Sequence, residues 1–282
     1  MSRLSLDAWV AGHPYLRPLA RLTAEVDAAA GEIENPRAAI PAWEDYEEDF
    51  RGGLPLLRSE GAGIDPLPAG KMATALVARL SARSGAGGPM PADLSVLNAD
   101  LSRRPDAPQR VADWLLGDES FEPAAPGLLR YLGWSAMAKY LESPVASFAL
   151  WRGDRWKRPY CPTCGSPPAM AQLIGEETGR IRLLCCGFCA TRWRYVRTAC
   201  PFCENDSQRL EAVLVEGEAG LRVDYCESCK GYLKTYDGTG SEAVLLADWT
   251  SLHLDFVARD RGFERRAASL YDLDSVAVRE PD

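Results

Sequence analysis

Four pairs of cysteines, each with two intervening residues, are the feature of this chain most able to do chemistry. All nine cysteines lie between positions 161 and 229, and eight of them form these pairs. The pairs are Cys161/Cys164, Cys186/Cys189, Cys200/Cys203 and Cys226/Cys229. A loop of this kind directs two sulfurs toward one point, so two loops supply the four ligands of a tetrahedral metal ion. The pattern therefore predicts two metal sites with four thiolates each.

The distances along the chain favour sequential pairing of these loops. There are 21 residues between the first pair and the second and 22 between the third and the fourth, but only 10 between the second and the third. The two longer separations suit the halves of a ribbon site. An internal repeat with a period of 39–40 residues supports the same pairing, because Gly179–Leu183 resembles Ala219–Val223. Interleaved pairing is the alternative.

The residue types are compatible with either of two metals. Zinc and a single iron ion both suit four thiolates in a tetrahedron. The segment Cys161–Gly165 has the form of a rubredoxin loop, which favours iron, although zinc ribbons also use it. The chain has only two histidines, His13 and His253, both outside the cysteine region, so we expect neither a histidine ligand nor a histidine–carboxylate metal set. The ninth cysteine, Cys185, is predicted to be a small half-buried side chain rather than a redox or ligand-swapping group.

The cysteine region has the periodicity of short strands. Trp193 and Tyr195 alternate with Arg192 and Arg194, which is typical of a half-buried strand. Residues 151–240 are therefore predicted to form a tandem rubredoxin-like or zinc-ribbon β module, with the domain boundary near Trp151–Pro159.

The sequence on either side of this module has helical periodicity. Residues 1–150 are predicted to form a helical domain, because apolar residues recur there at spacings of three and four. These residues include Leu16, Leu19, Leu22 and Val26, then Met72, Leu76 and Leu80, then Val111 and Leu115, then Leu128, Leu132, Ala136 and Tyr140. Residues 241–282 are predicted to be a C-terminal helix, with Trp249, Leu252 and Phe256 on one face, and a polar tail after Tyr271. The predicted fold class is α+β.

Charge and hydropathy restrict the partners and the compartment. The formal net charge is −8, which disfavours general binding to nucleic acid or to an anionic membrane. No signal peptide and no run of eighteen apolar residues is expected, so the protein is predicted to be cytoplasmic and not to bind a membrane. Thiols stay reduced in that compartment, where paired cysteines hold metals more often than they form disulfides. The oligomeric state is left open.

Three segments around the cysteines resemble one known family. They are Tyr160–Pro168, Cys186–Arg197 and Tyr225–Lys234. Together they resemble the FdhE family of formate dehydrogenase accessory proteins. Ala247–Asp255 is similar to the closing helix of that family, and His13–Leu16 and Gly133–Leu141 resemble it more weakly.

The resemblance implies a function without catalysis. It implies a cytoplasmic maturation factor, not an enzyme, that is required for the activity of a respiratory formate dehydrogenase and binds its molybdenum- or tungsten-containing catalytic subunit. The family pattern carries the eight paired cysteines over as ligands of rubredoxin-like sites and supplies no catalytic or cofactor-binding residue. In this interpretation the module presents Trp193, Arg194, Tyr195 and Tyr232 to the partner. Alternatively, Trp193 and Tyr195 shield the metal as a local core.

Two other functions fit parts of the sequence. Four basic residues precede the first loop and three arginines lie in the 192–197 segment, and together they could bind a nucleic-acid backbone as zinc-ribbon proteins do. They are Arg152, Arg155, Lys157 and Arg158, then Arg192, Arg194 and Arg197. Residues 151–240 carry 13 Lys or Arg against 11 Asp or Glu, however, which is a small excess. A rubredoxin-like iron could instead serve electron transfer.

Overall fold

The computed structural model describes residues 4–83, 91–148, 155–176, 179–206, 211–214, 217–218 and 220–271. The tail predicted after Tyr271 lies outside these residues, as do positions 151–154 of the predicted domain boundary.

The chain divides into two compact units that each draw on separate segments. The sheet unit contains Met1–Leu16, Glu44–Ser59 and Phe148–Ser269, and the helical unit contains Arg17–Trp43, Glu60–Ser147 and Leu270–Asp282. This grouping differs from a division of the chain at a single position near 150. Its long segment begins at Phe148, but two N-terminal segments also belong to the sheet unit. Glu44–Ser59 hydrogen-bonds to the first cysteine loop, and Met1–Leu16 hydrogen-bonds to the C-terminal part of the unit.

The helical unit is an array of helices, as the apolar spacing predicts. Its helices are α2 (Arg17–Gly31), α4 (Leu67–Arg83), α5 (Pro91–Ser102), α6 (Ala107–Leu115), α7 (Pro126–Tyr140) and α8 (Glu142–Ser147). Helix α4 is central and packs against α2, α5, α6 and α7. Its Gly70 is required, because a Cβ there would lie 2.0 Å from the carbonyl oxygen of Pro108 in α6. The predicted apolar stripe Met72, Leu76 and Leu80 is buried.

The sheet unit holds one mixed sheet. Its strands are β1 (Pro168–Ile174), β2 (Ile181–Cys186), β3 (Arg192–Tyr195), β4 (Glu211–Leu214), β5 (Leu221–Tyr225), β6 (Gly231–Asp237) and β7 (Glu264–Arg265). The order across the sheet is β3-β2-β1-β6-β5-β4, and β7 pairs with β6.

The sheet reflects the internal repeat of the sequence. Strands β1, β2 and β3 form one antiparallel half and β4, β5 and β6 form the other. The halves join through the parallel pair β1 and β6, with Met170 opposite Lys234 and Ala171 opposite Thr235. Both central strands are almost entirely buried, as strands covered on two faces must be.

The two N-terminal segments of the sheet unit hydrogen-bond to different parts of that unit. Helix α1 (Leu6–Gly12) is fixed by Trp9, whose indole Nε1 donates to the carbonyl of Thr250 at 2.9 Å. Helix α3 (Trp43–Gly52) is followed by a short 3-10 helix, Leu56–Arg58. The backbone N–H of Leu56 donates to the carbonyl of Pro162 in the first cysteine loop, at 2.8 Å.

The C-terminal segment departs from its predicted helical face. Instead of one helix through Trp249 and Phe256, the chain forms α9 (Glu242–Leu245), a 3-10 helix (Asp248–Ser251) and α10 (His253–Asp260). The 3-10 turn rotates the following helix, so Leu254 and Ala258 are buried and Phe256 is 62% exposed. The predicted shared face of Trp249, Leu252 and Phe256 is therefore divided, with Trp249 buried and Phe256 exposed. Within the described part of the chain, no helix has the length and apolar content to cross a membrane.

Candidate metal centres

The eight paired cysteines meet in two groups of four, in the sequential arrangement. Cys161, Cys164, Cys186 and Cys189 form the first cluster. Cys200, Cys203, Cys226 and Cys229 form the second cluster. In each cluster the four sulfurs lie within 4.8 Å of one another. Strands β1 and β2 position the first cluster, and β5 and β6 position the fourth loop for the second.

The four loops share one backbone geometry. The N–H of the first cysteine in each pair donates to the carbonyl five residues on. The four bonds are Cys161 to Ser166, Cys186 to Thr191, Cys200 to Asn205 and Cys226 to Gly231, at 2.9–3.0 Å. The residue after each second cysteine has a positive φ, and these residues are Gly165 (82°), Ala190 (58°), Glu204 (57°) and Lys230 (57°). The conformation turns the chain tightly enough for both sulfurs to face one point.

The sulfur separations match a tetrahedral ion rather than disulfides. They are 3.5 Å for Cys161 and Cys189 and for Cys164 and Cys186 in the first cluster. In the second cluster they are 3.7 Å for Cys200 and Cys229 and 3.8 Å for Cys203 and Cys226. Metal–sulfur bonds of about 2.3 Å place tetrahedral ligands about 3.8 Å apart, whereas a disulfide needs about 2.05 Å. Each cluster could therefore hold one metal ion, of either kind.

Burial disfavours the negatively charged thiolate form of the cysteines in the first cluster. Burial raises the pKa of the Cys161 and Cys186 thiols well above the ordinary value. Burial also acts on Cys189, but hydrogen bonds from neighbouring sulfurs and from Thr191 outweigh it and hold the pKa of this thiol well below the ordinary value. Four thiolates can share this space only when a cation compensates their charge, so metal binding would release protons.

The two clusters differ in exposure. All four cysteines of the first cluster are buried, whereas Cys203 is exposed and Cys229 is half-buried. The first cluster is covered by the 3-10 segment after α3, where the N–H groups of Leu56 and Leu57 donate to the carbonyls of Pro162 and Thr163.

Cys185 lies outside both clusters. Its side chain is buried in β2, and burial raises the pKa of its thiol to about 12. Because neighbouring residues of a strand point to opposite faces, Cys185 points away from the side used by Cys186. The side chain is more deeply buried than the sequence predicted.

The aromatic residues expected at a partner surface belong to the core. Trp193 is 0% exposed, and Tyr195 and Tyr232 are also buried. The indole Nε1 of Trp193 donates to the carbonyl of Arg158 at 3.1 Å, and the hydroxyl of Tyr232 donates to Asp255 at 2.6 Å. The prediction that these three rings are presented to a partner was therefore wrong. Packing on the sheet explains their burial.

Basic side chains do remain exposed around a cavity of about 420 Å³ at the edge of the sheet. Its lining includes Lys157, Arg194, Val196 and Arg197, all exposed. Arg182 also reaches the lining, but its guanidinium is buried and donates to the carbonyls of Val196 and Ala199. Burial lowers the pKa of Arg182 to about 10, which still leaves it charged at neutral pH. Its hydrogen bonds to the two carbonyls direct that charge to the backbone rather than to the cavity.

A third group of potential ligands was not expected from the sequence. His13, Glu218 and His253 bring two imidazoles and one carboxylate within 4.8 Å of one another. The two histidines thus lie beside a shared carboxylate, an arrangement that the sequence analysis did not anticipate. No local pattern could have revealed the group, because His13 and Glu218 are 205 positions apart. Burial lowers the pKa of His253, although the charge of Glu218 opposes this effect.

Comparison with known proteins places these sites in a family context. Residues 160–197, which contain the first cluster, match the family model described as "FdhE, central domain". A Pseudomonas aeruginosa protein named "Protein FdhE homolog" is 34% identical over 92% of this chain and 84% of its own length. A homologue of the same name from Stutzerimonas stutzeri is 30% identical over the same shares of the two chains.

A solved structure extends the similarity to the fold. The crystal structure of the FdhE protein from Pseudomonas aeruginosa is similar with a TM-score of 0.61 and 28% sequence identity. The similarity covers 93% of this chain and 90% of that one, so it includes both units.

Proposed function

Because the chain belongs to the FdhE family, we propose that it is a cytoplasmic accessory factor required for the activity of a respiratory formate dehydrogenase. In this proposal it binds the catalytic subunit of the dehydrogenase during maturation and has no turnover of its own. The family relationship, which extends over more than nine-tenths of the chain, carries the proposal. Homologues named as FdhE proteins support an accessory role.

Metal ions bound in the two cysteine clusters would cross-link the loops and keep the partner-binding module rigid. We propose one ion in each cluster, with iron preferred over zinc on the rubredoxin-like form of the first loop. The ligands would be the eight paired cysteines listed above. The sulfur separations, close to those of a tetrahedral ion, support this assignment.

We propose that the exposed basic rim around the cavity at the sheet edge is the surface that docks the catalytic subunit. Arg194 and Arg197 lie there beside Val196, which is 57% exposed. Arginine is common among the residues that anchor protein interfaces. A basic rim around a concave surface suits an acidic segment of the partner.

The variant Arg194→Glu tests this surface. We expect it to reduce co-purification of the catalytic subunit and formate oxidation in cells, while both cysteine-bound ions remain. Arg103→Glu, which changes an exposed arginine of the helical unit in the same way, is the matched control. Unchanged formate oxidation after deletion of the gene would overturn the proposed function as a whole.

The two alternative functions make different predictions. A nucleic-acid-binding ribbon would retain DNA or RNA through purification in low salt. An electron-transfer protein requires visible absorbance that a mild reductant bleaches reversibly, so a colourless zinc protein would exclude that role. Bleaching alone would also fit iron bound in the proposed accessory factor, so the electron-transfer role further requires that formate oxidation in cells survive deletion of the gene.

A further inference from the structure

We propose that His13, Glu218 and His253 form a third metal site, which binds a divalent first-row transition metal such as Zn²⁺ or Fe²⁺. Two imidazoles and one carboxylate are a ligand set used for both ions, with coordination positions left open for water or an external ligand. The site shares no residue with the cysteine clusters and goes beyond the proposed function.

The ligand atoms converge at the separations that a bound metal requires. His13 Nε2 lies 3.3 Å from Glu218 Oε1, and His253 Nε2 lies 3.1 Å from Glu218 Oε2. Metal–ligand bonds of about 2.0 Å place two tetrahedral ligands about 3.3 Å apart. One ion could therefore reach both imidazoles and the carboxylate with little rearrangement of the side chains.

The tautomer of neutral His13 favours a cation between the ring and the carboxylate. Its Nδ1 lies 2.9 Å from the carbonyl oxygen of Trp9, which can only accept a hydrogen bond. Nδ1 therefore carries the proton, and Nε2 of the neutral ring presents a lone pair to Glu218. In that state two acceptors would face each other, so either a proton, which makes this pair a hydrogen bond, or a metal ion must lie between them. Metal-bound histidines commonly use this arrangement, in which the outer nitrogen donates to a carbonyl.

The other half of the site contains polar atoms without hydrogen-bond partners. Glu218 Oε2 and His253 Nε2 are both buried, and although they lie 3.1 Å apart they do not have hydrogen-bond geometry. Leaving buried polar atoms unpaired is unfavourable. A shared metal ion would satisfy both atoms at once, since coordination does not require the nitrogen to point directly at the oxygen.

The surrounding structure holds the ligands in place before any ion binds. The hydrogen bond from Trp9 to Thr250 fixes the end of α1 beside the turn that leads into α10, and so places His13 beside His253. The two imidazole rings stack with centroids 5.3 Å apart. The ring of Tyr15 meets both of them edge-on, at 5.8 and 5.9 Å. Glu218 lies between β4 and β5, next to Gly217, which has a φ of 83°.

Metal stoichiometry of the full chain tests the site. After anaerobic equilibrium dialysis against Zn²⁺, or separately against Fe²⁺, we expect three metal equivalents per wild-type chain. His13→Gln, Glu218→Gln and His253→Gln should each hold two. Tyr15→Phe, which alters the neighbouring ring but no proposed ligand, should still hold three.

Glu218→Gln separates metal binding from a structural role. The new amide can donate a hydrogen bond to an imidazole, so the variant should keep its fold and both cysteine-bound ions while it loses the third. Zn²⁺ added beyond two equivalents should raise the melting temperature of the wild type but not that of this variant.

Two results would overturn the proposal. One is a wild-type chain that binds only two equivalents, which would mean that a proton bridges the histidines and the carboxylate. The other is a third equivalent that persists in all three ligand variants. Neither measurement involves formate dehydrogenase, so its outcome is independent of the proposed function.

Discussion

The residue after each cysteine pair has a left-handed backbone conformation, but only one of the four is glycine. Ala190, Glu204 and Lys230 take this conformation with side chains. A Cβ in that region crowds the following carbonyl and costs roughly 1–2 kcal/mol per residue. The cysteine loops therefore store strain that the hydrogen bonds across each loop, and any bound ion, must offset.

Replacing Ala190 with glycine should relieve this strain. Ala190 is exposed and its φ is 58°, so Ala190→Gly removes the crowding without removing a buried contact. We expect the free energy of unfolding to rise by about 1 kcal/mol, as measured by urea denaturation of the metal-loaded protein. Ala190→Val, with a branched Cβ, should lower it. Equal stability of the two variants would contradict the account.

A buried group of charges connects β6 with the C-terminal segment. Lys234 Nζ lies 2.7 Å from Asp248 and 3.0 Å from Asp255, and Arg265 pairs with the same two carboxylates at 2.8 and 3.1 Å. Burial by itself would raise the pKa of Asp248, but the charges and hydrogen bonds of Lys234 and Arg265 outweigh it and hold the pKa well below the ordinary value.

Asp248→Asn should therefore destabilise the protein in a pH-dependent way. At pH 7 we expect a loss of about 3–5 kcal/mol, because Lys234 stays buried with one carboxylate fewer. Above the ordinary carboxyl pKa, about 4, ionised Asp248 makes its full contribution to the free energy of unfolding. This contribution is lost as the pH falls from there through the lower pKa that Asp248 has in the folded state. The difference in unfolding free energy between wild type and variant should thus be smaller at pH 3 than at pH 7. Acid also protonates the cysteines, but it does so in both proteins, so that effect cancels in the difference between wild type and variant.

At the scale of elements, four similar loops form two clusters with unequal cover. The first cluster lies between β1 and β2 under the 3-10 segment that follows α3, and all its cysteines are buried. The second cluster has an exposed cysteine, Cys203. Water and chelators can therefore approach the second cluster without any opening of the fold.

Metal release should follow this difference. In the Glu218→Gln background, which removes the proposed third ion, an excess of chelator should release one equivalent quickly from the second cluster and one slowly from the first, as followed by a colorimetric metal indicator. In that background Cys203→Ser should abolish the fast phase and Cys164→Ser the slow phase. If both ions leave at one rate, exposure does not control release.

At the scale of the whole molecule, the sheet unit depends on chain that lies far away in sequence. The hydroxyl of Tyr160 donates to the carbonyl of Gly53 at 2.7 Å, and the rings of Phe50 and Trp156 lie 5.2 Å apart. Trp9 and Thr250 are 241 positions apart and share a buried hydrogen bond. The cysteine-rich region and its C-terminal helix therefore do not form the complete unit.

A fragment of residues 148–271 should be less stable than the intact chain for this reason. We expect a lower melting temperature and faster chelation of the first-cluster ion, because the cover of that cluster is removed. Co-expression with residues 1–59, which contain both missing segments, should restore slow release. A fragment with the metal kinetics of the full chain would contradict this prediction.

Much of the fold was predictable because its signals are local. The spacing of Cys161/Cys164 and the matching pairs predicted the two groups of four sulfurs. The alternation of Trp193 and Tyr195 with arginines predicted β3, and the apolar stripes predicted helices. Each signal reflects a backbone period or a loop length that the chain satisfies within about thirty residues.

What the sequence alone determined is thus the element types and the grouping of cysteines, whereas only the tertiary structure decided which side chains face one another or solvent. Alternation identified the inward side of β3 but not whether Trp193 packs in the core or meets a partner. The arrangement of His13, Glu218 and His253 depends on contacts between α1, a strand connection and α10. Such contacts arise from packing of distant segments, so no sequence period encodes them.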